Sequence, residues 1–243
     1  MLKKISIFIA FSLALIFSID LLMDYIDQPP NFAAITDITA RKKAFVDYLK
    51  PAIDQLNQER AEERQTLVTI YTNMRAGKAP DYWQRHQLKM WAERYDLDFQ
   101  ADKLKTLARK LLLHLDQIPT SMVLAQAALE SAWGTSRFVQ TGNNFFGQWC
   151  FKKGCGMVPI ARNEDAKHEV KYFDSPEDSI KTYFENINKH AAYQELRQLR
   201  ARTRAEGKAL SGLNLVAGLE NYSQRGQAYV DDLRAVIRSN HFE

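Results

Sequence analysis

A carboxyl group on an otherwise nonpolar segment is the strongest candidate for chemistry in this sequence. Glu130 is the only ionisable side chain in residues 120–133. If the segment is a helix, Val123, Gln126 and Ala127 share its face, because they lie seven, four and three residues before it. A poorly solvated carboxyl favours its neutral form and has a raised pKa, as a general acid near neutral pH requires. An exposed glutamate near a helix end is the alternative interpretation.

A loop-rich stretch follows this segment directly. Five of the ten glycines lie between Gly134 and Gly156, together with Asn143 and Asn144. Glycine and asparagine adopt turn conformations easily, and functional residues are often found on loops that a rigid scaffold positions. We therefore expect a site where the helix of Glu130 meets these loops.

The surrounding chain is patterned as helices. Apolar residues recur at helical spacing over residues 39–115, where Asp37 or Thr39 is expected to cap a first helix and residues 77–80 to end a second. After the loops, a β-hairpin is predicted over residues 158–173, with its turn at 162–165. Further helices are predicted over residues 176–189, 191–206 and 227–237.

Composition indicates a folded globular protein of one or two domains. The chain has 243 residues, of which 46% are hydrophobic and 26% charged. Its net charge of +4 is too small for a dedicated nucleic-acid-binding protein, so we expect no nucleic-acid partner. A basic run in the C-terminal half is interpreted as a solvated helix face, with contact to an anionic wall or membrane as the alternative. It comprises Arg197, Arg200, Arg202 and Arg204.

The first residues indicate export. Lys3 and Lys4 precede a long uncharged apolar run, and no clear cleavage site follows it, so residues 1–24 are predicted to be a signal peptide or a signal anchor. A buried N-terminal helix of a cytosolic protein is the alternative. Residues 25–38 contain two prolines and are predicted to form a linker. We expect the rest of the chain in the periplasm or at the outer face of the cytoplasmic membrane, with membrane contact through the N-terminal segment.

Two cysteines lie close together in the loop-rich stretch. Cys150 and Cys155 are separated by four residues, and in an oxidising compartment a local disulfide is expected to rigidify the loop that carries Trp149. A zinc site lacks further ligands nearby, and the spacing is not that of a C-x-x-C redox motif. We expect neither a metal nor a cofactor, and no feature identifies a protein partner.

Two nearby motifs resemble those of a known protein family. Residues 128–134 read Ala-Leu-Glu-Ser-Ala-Trp-Gly, and residues 143–147 read Asn-Asn-Phe-Phe-Gly. This pattern resembles the glucosaminidase family of bacterial cell-wall hydrolases. Within that family the chain is most similar to the Bax-type proteins, which carry a helical N-terminal extension and a segment like residues 149–156. The similarity of the catalytic domain covers about residues 116–240.

The resemblance implies a fold and an activity. The fold would be mainly α, with a lysozyme-like α+β catalytic domain over residues 116–243 that contains a small β-hairpin. A helical extension over residues 39–115 would pack on that domain. The activity would be hydrolysis of the β-1,4 bond after N-acetylglucosamine in the glycan strands of peptidoglycan. A lytic transglycosylase, a muramidase and a non-catalytic glycan-binding module are the alternatives.

The resemblance also implies residue roles. Glu130 matches the general acid of the family. A glycosidase usually needs a second carboxylate, which in the family comes from the hairpin region, so Glu164 is the choice, with Asp165 and Glu169 as alternatives. Assistance by the 2-acetamido group of the substrate would make the second acid dispensable.

Further candidates come from the C-terminal segment and from the motifs themselves. Residues 221–229 resemble the family's Tyr-Ala-Thr-Asp-x-x-Tyr segment, although Ser-Gln-Arg replaces Ala-Thr-Asp, so Tyr222 and Tyr229 are candidate catalytic residues. Core packing is the alternative for both tyrosines, and simple burial is the alternative for the aromatic candidates. The candidate substrate-binding residues are Trp133, Asn143, Asn144, Phe146 and Trp149.

Overall fold

The computed structural model describes residues 29–159 and 168–243. The predicted signal or anchor segment at residues 1–24 lies outside the described residues, as do Glu164 and Asp165. Within the two described ranges, no helix is both long enough and apolar enough to cross a membrane.

The described residues form nine α-helices and a small antiparallel sheet of three short strands, which confirms the predicted lysozyme-like α+β class with an N-terminal helical region. The helices are α1 Ile38–Arg75, α2 Tyr82–Arg94, α3 Leu104–His114, α4 Thr120–Ser131, α5 Arg137–Gly142, α6 Pro176–Lys189, α7 Gln194–Ala205, α8 Gly212–Leu215 and α9 Gln227–Ser239. The strands are β1 Trp149–Cys150, β2 Gly156–Met157 and β3 Glu169–Lys171. Short 3₁₀ segments lie at Phe32–Ala34, Ala191–Tyr193 and Val216–Tyr222.

The first helix is continuous where the sequence predicts two. It runs over 38 residues, which corresponds to about 57 Å at 1.5 Å per residue. Asp37 caps its start by accepting a hydrogen bond from the Ala40 N–H. Pro51 lies inside the helix and removes one backbone hydrogen bond. Buried apolar residues lie before and after this proline, so packing on both sides holds the helix together.

The long helix α1 contributes to two hydrophobic cores. Its N-terminal half, including Phe45 and Ile53, packs in one core with the apolar residues of α4, α6 and α9. Its C-terminal half, including Leu67 and Ile70, packs in a second core with α2 and α3. The division of the chain at residue 115 stays a prediction.

The basic run on α7 is not the solvated face that the sequence predicts. Arg202 is exposed, but Arg197 and Arg200 are buried. Arg200 donates hydrogen bonds to the carbonyl oxygens of Leu113 and Gln117, both at 3.0 Å. Since carbonyls at the end of a helix lack partners within that helix, a buried guanidinium with several donors can satisfy them. Arg200 therefore fixes the connection from α3 to α4.

A buried aspartate balances this arginine. Asp116 is 1% exposed, and its carboxylate accepts a hydrogen bond from the Arg204 guanidinium at 2.8 Å. Arg64 and Arg200 also lie within ion-pair distance of it, at 3.3 and 3.7 Å. Burial lowers the pKa of Arg200 to about 10, against the opposing effect of Asp116, so the guanidinium stays charged at neutral pH. The cluster ties α1, α7 and the connection from α3 to α4 together.

The small sheet differs in detail from the predicted hairpin. β3 lies in the centre, with β1 and β2 antiparallel on either side. The strand before the connection is Gly156–Met157 rather than one beginning at Val158. A side-chain carbon on Gly156 would lie 2.0 Å from the carbonyl oxygen of Val170, so only glycine fits there. The predicted turn at residues 162–165 lies outside the described residues.

Candidate active site

An open cleft of about 560 Å³ lies at the C-terminal end of α4. Among the described residues that line it, Glu130 is the only acidic side chain. The other described lining residues are Phe146, Gly147, Gln148, Trp149, Phe151, Asn186, His190, Ala192, Tyr193, Asn221, Tyr222 and Ser223. The cleft therefore combines one carboxyl group with aromatic and amide side chains, a composition suited to a sugar ligand.

The end of α4 places Glu130 at the cleft. Three successive residues after the helix have left-handed backbone conformations: Ala132, Trp133 and Gly134, with φ of 50°, 58° and 78°. Such a conformation is costly for alanine and tryptophan, so the surroundings must hold it. Ser131 does so in part, because its hydroxyl oxygen accepts a hydrogen bond from the Gly134 N–H at 2.9 Å. The chain turns away sharply, and Glu130 remains in the last helical turn.

A chain of hydrogen bonds holds one carboxylate oxygen of Glu130. The Tyr229 hydroxyl donates to Glu130 Oε1 at 2.8 Å. The Gln126 amide Nε2 donates to the Tyr229 hydroxyl oxygen at 3.0 Å, and the Tyr183 hydroxyl donates to Gln126 Oε1. Gln126, Tyr183 and Tyr229 are all buried. Tyr183 thus orients the Gln126 amide, and Gln126 in turn orients the Tyr229 hydroxyl that donates to Glu130.

The electrostatics of the site favour the protonated form of Glu130. Burial raises the pKa of this carboxyl, and the hydrogen bond from Tyr229 and the positive charge of Arg225 oppose the rise without cancelling it. Burial and the neighbouring Glu130 charge also raise the pKa of Tyr229 far above its ordinary value. Tyr229 therefore keeps its proton and remains a donor.

The second carboxylate oxygen lies on the cleft side. A side-chain carbon added to Gly147 would lie 3.4 Å from Glu130 Oε2, and Gly147 lines the cleft. Its φ of +64° also favours glycine. Since Oε1 accepts the Tyr229 hydroxyl, a proton on the carboxyl is left to Oε2, where a ligand in the cleft can reach it.

The structure brings both candidate tyrosines to Glu130. Their rings stack with centroids 5.6 Å apart and planes at 2°. The Tyr222 hydroxyl donates to the Phe146 carbonyl oxygen at 2.8 Å, and Tyr222 lines the cleft, whereas Tyr229 is buried behind it. Tyr229 can therefore position Glu130 but is not among the groups open to a ligand.

Trp133 does not lie among the cleft-lining residues, contrary to its prediction as a sugar-stacking wall. Its ring packs against Phe45 at 5.6 Å between centroids, and the Lys42 Nζ lies 4.7 Å from its centroid. The left-handed turn after α4 directs the indole toward α1, where it contributes to the first core.

The two motif asparagines stabilise the loop and do not line the cleft. The buried Asn144 donates from Nδ2 to the carbonyl oxygens of Gln148 and Lys171, both at 2.9 Å. Asn143 donates to the Phe173 carbonyl oxygen at 3.1 Å. Their Nδ2 donors are used by the backbone, so the structure gives both residues a loop-stabilising position, and their role as substrate ligands stays a prediction.

Of the remaining predicted aromatics, Phe146 and Trp149 line the cleft. The Phe146 ring is buried and stacks on Tyr183 at 4.2 Å between centroids. Trp149 is 56% exposed, and its ring stacks on that of His168 at 3.9 Å between centroids. Sequence reasoning missed Tyr193 and Phe151, which also line the cleft. No spacing pattern points to Tyr193, whereas Phe151 directly follows the first cysteine.

The loop beside Trp149 is closed covalently. Cys150 and Cys155 form a disulfide. The buried Glu169 carboxylate accepts hydrogen bonds from the N–H groups of Gly154 and Gly156 at 3.0 and 2.9 Å. Glu169 is not among the described cleft-lining residues, so its geometry fits loop support rather than the role of a second catalytic acid.

Comparison with known proteins gives the family. Residues 105–242 match the glucosaminidase family, described as mannosyl-glycoprotein endo-beta-N-acetylglucosaminidase. The chain belongs to the glucosaminidase family. A similar protein is protein bax of Escherichia coli (strain K12), with 33% identity over 211 residues, which cover 87% of this chain and 74% of the relative. This confirms the Bax-type resemblance. No solved structure matches the chain.

Membership of the glucosaminidase family supports a glycoside hydrolase that acts on a glycan. The match includes α4, the cleft loops and α9, so Glu130, Gln126 and Tyr229 all lie within the family domain.

Proposed function

We propose that this chain hydrolyses the β-1,4 bond after N-acetylglucosamine in peptidoglycan, with Glu130 as the general acid. The observation that carries the proposal is the environment of this one carboxyl group. It is partly buried, its pKa is raised, Tyr229 holds Oε1, and Oε2 lies on the cleft side. A general acid needs this combination of a raised pKa and access to the ligand.

The first chemical step follows from that geometry. The neutral carboxyl donates its Oε2 proton to the glycosidic oxygen as the bond to the anomeric carbon breaks, and the leaving sugar departs as an alcohol. The negative charge that appears on Glu130 is stabilised by the Tyr229 hydroxyl, because a hydrogen bond to a charged acceptor is stronger than one to a neutral acceptor. The positive charge at the anomeric carbon then needs a second group.

We infer that Glu164 supplies the second carboxylate. Glu169 is committed to the two loop amides, which leaves Glu164 and Asp165 as the acidic candidates of the predicted turn. The 2-acetamido group of the substrate is the alternative. Replacing Glu164 with Gln separates these cases: a large loss of turnover supports a carboxylate role, and a small loss supports Asp165 or substrate assistance.

We further propose that the chain acts outside the cytoplasm, in the periplasm or anchored to the outer face of the cytoplasmic membrane. The lysine-flanked apolar start of the sequence and the disulfide in the cleft loop support this location. The substrate would be the glycan strands of the cell wall.

Mass spectrometry of the products released from purified peptidoglycan tests the activity. Fragments with N-acetylglucosamine at the reducing end support the proposal. Fragments ending in 1,6-anhydro-muramic acid indicate a lytic transglycosylase, and fragments ending in reducing muramic acid indicate a muramidase. Binding without release at several pH values indicates a non-catalytic glycan-binding module.

A further inference from the structure

The far end of the helical extension carries large nonpolar side chains in water. Tyr82 and Trp83, the first two residues of α2, are 66% and 73% exposed, and Met90 on the same helix is 50% exposed. The two aromatic rings contact each other edge to face, with centroids 5.3 Å apart. An exposed nonpolar patch of this kind marks a surface that interacts with another molecule or with a membrane.

The packing of α2 directs these side chains away from the protein. Leu88, Trp91 and Ala92 are buried in the second hydrophobic core, and they define the inward face of the helix. Trp83 and Met90 are seven residues apart, which is close to two helical turns, so they share one stripe on the opposite face. The core-facing positions of α2 are therefore filled by other residues, and the outward stripe is left for a partner.

Tyr82 and Trp83 lie at the turn of a helical hairpin. The Arg94 guanidinium at the end of α2 donates to the Glu63 carboxylate at 2.7 and 2.9 Å, so α2 runs back along α1. Residues 75–85, at the turn, are called the hairpin tip below. The end of α1 lies about 27 Å along the helix axis beyond Asn57, where α1 bonds to the Ile118 backbone. The hairpin tip therefore projects away from the first core.

Positive charges surround the aromatic pair. The hairpin tip contains three cations and one acid, Asp81, for a net charge of +2. The cations are exposed, and none has an ion-pair partner among the described residues; they are Arg75, Lys78 and Arg85. Gly77 has a φ of +83°, and the Lys78 N–H donates to the Asn73 carbonyl oxygen at 3.0 Å. This turn ends α1 and fixes the Lys78 backbone between the two helices.

We propose that the hairpin tip binds the surface of a membrane that contains anionic lipids. Tyr82 and Trp83 enter the boundary between headgroups and acyl chains, where aromatic rings with a polar edge are favoured. The three cations contact lipid phosphates, and basic residues next to inserted rings are typical of such surface contacts.

The combination of rings and charges selects this partner. A dissolved polyanion uses the cations and leaves the rings in water, whereas a neutral glycan uses the rings and leaves the cations without a partner. A second copy of the chain brings the same positive charge against the first, which is unfavourable. An anionic lipid surface uses both features. The inference concerns where the chain is held, and it does not depend on which bond the chain cleaves.

A fluorescent label at the hairpin tip of the full chain tests the contact. Cys150 and Cys155 are paired, so Ala79→Cys supplies the single thiol for an environment-sensitive dye. Vesicles of phosphatidylcholine alone are compared with vesicles that also contain phosphatidylglycerol. The emission should move to shorter wavelength, and more strongly with the mixed vesicles. The same dye attached through Gln198→Cys, at an exposed position of α7, should not respond. Because each label reports its own surroundings, contact of the N-terminal segment with the vesicle does not by itself produce the shift.

Substitutions in the labelled chain separate the two contributions. Arg75→Gln together with Lys78→Gln should lower the ratio of bound to free label on mixed vesicles by roughly twentyfold, since each cation near an anionic surface contributes about fivefold. Tyr82→Ala together with Trp83→Ala should lower it by about tenfold, because the nonpolar contact is lost. Matched changes on another exposed loop should leave the ratio unchanged; they are Phe151→Ala and the pair Lys152→Gln with Lys153→Gln.

Four results would overturn the proposal. The first is a label that does not respond to mixed vesicles. The second is a full response after both aromatic substitutions, because charge alone would then account for binding. The third is a shift that appears without vesicles and grows with protein concentration, which identifies a second copy. The fourth is a shift produced by soluble glycan fragments, which identifies a glycan. Fragment release from soluble peptidoglycan is measured separately, so failure of the membrane contact and failure of the proposed hydrolysis are distinguishable.

Discussion

Removing one hydroxyl group should shift the pH dependence of the proposed hydrolysis upward. Tyr229→Phe deletes the donor that lies 2.8 Å from Glu130 Oε1. A hydrogen bond contributes about 1.5–3 kcal/mol when one partner is charged and about 0.5–1.5 kcal/mol when both are neutral. The substitution therefore disfavours the charged carboxylate over the neutral carboxyl by about 1 kcal/mol, and the pKa of Glu130 should rise.

The sign of the effect follows from the proposed role of the acid. A general acid at Glu130 has to be protonated at the start of each turnover, so kcat should fall as pH rises through its pKa in the complex. Since one pH unit corresponds to about 1.4 kcal/mol, the midpoint of the basic limb should move upward by roughly 0.5–1 pH unit. The maximal kcat should fall, because the charge left on Glu130 loses its donor.

Initial rates of fragment release from soluble peptidoglycan, measured across the pH range, provide the assay. Tyr222→Phe is the matched control: it removes a hydroxyl from the other ring of the same stack, but that hydroxyl donates to the Phe146 carbonyl oxygen. Its basic limb should stay at the wild-type midpoint. The midpoint for Tyr229→Phe could instead be unchanged or lower while the substituted chain still unfolds cooperatively. That result would refute the stabilisation of charged Glu130 by the Tyr229 hydrogen bond.

Three further predictions concern stability and oxidation. Arg200→Met should lower the free energy of unfolding by about 3–5 kcal/mol, because it leaves buried groups unpaired, whereas replacing the exposed Arg202 with Met should change it little. Urea unfolding measures both values, provided that the m-values of the variants equal that of the unmodified chain. Gly134→Ala should lower Tm more than Gly77→Ala, because both have positive φ but only the first places a carbon 2.3 Å from the Phe32 ring. Thiol labelling of the native chain without reductant should modify neither cysteine, and full labelling would contradict the disulfide.

Local sequence features predicted the setting of Glu130. The carboxyl lies on a helix that is almost entirely apolar, and such a helix must be buried, so its one ionisable group is poorly solvated. Its partners were not predictable in the same way. Tyr229 lies 99 residues away, and the bond from Tyr183 to Gln126 depends on how α6 packs against α4. Long-range packing of this kind has no periodic signal in a single sequence.

The side-chain positions that the sequence does not predict share a physical cause. Asn144 and Arg200 are polar residue types that usually contact solvent or ligand, and the sequence does not reveal which backbone carbonyls lack partners. In the structure, Asn144 donates to the carbonyls of the cleft loop, and Arg200 donates to those at the connection from α3 to α4. The packing of the Trp133 ring on the core was not predictable, because the left-handed turn after α4 that directs the ring there depends on the surrounding contacts.

The most direct test of the central claim is the turnover of Glu130→Gln on purified peptidoglycan, measured by quantifying released fragments. Gln keeps the shape of Glu but has no acidic proton to donate. The substituted chain should fold normally and bind glycan strands as tightly as the unmodified chain. Its turnover should fall by about 10²–10⁴-fold, the range expected for loss of general-acid catalysis. Release at a nearly unchanged rate would contradict the assignment of Glu130 as the general acid.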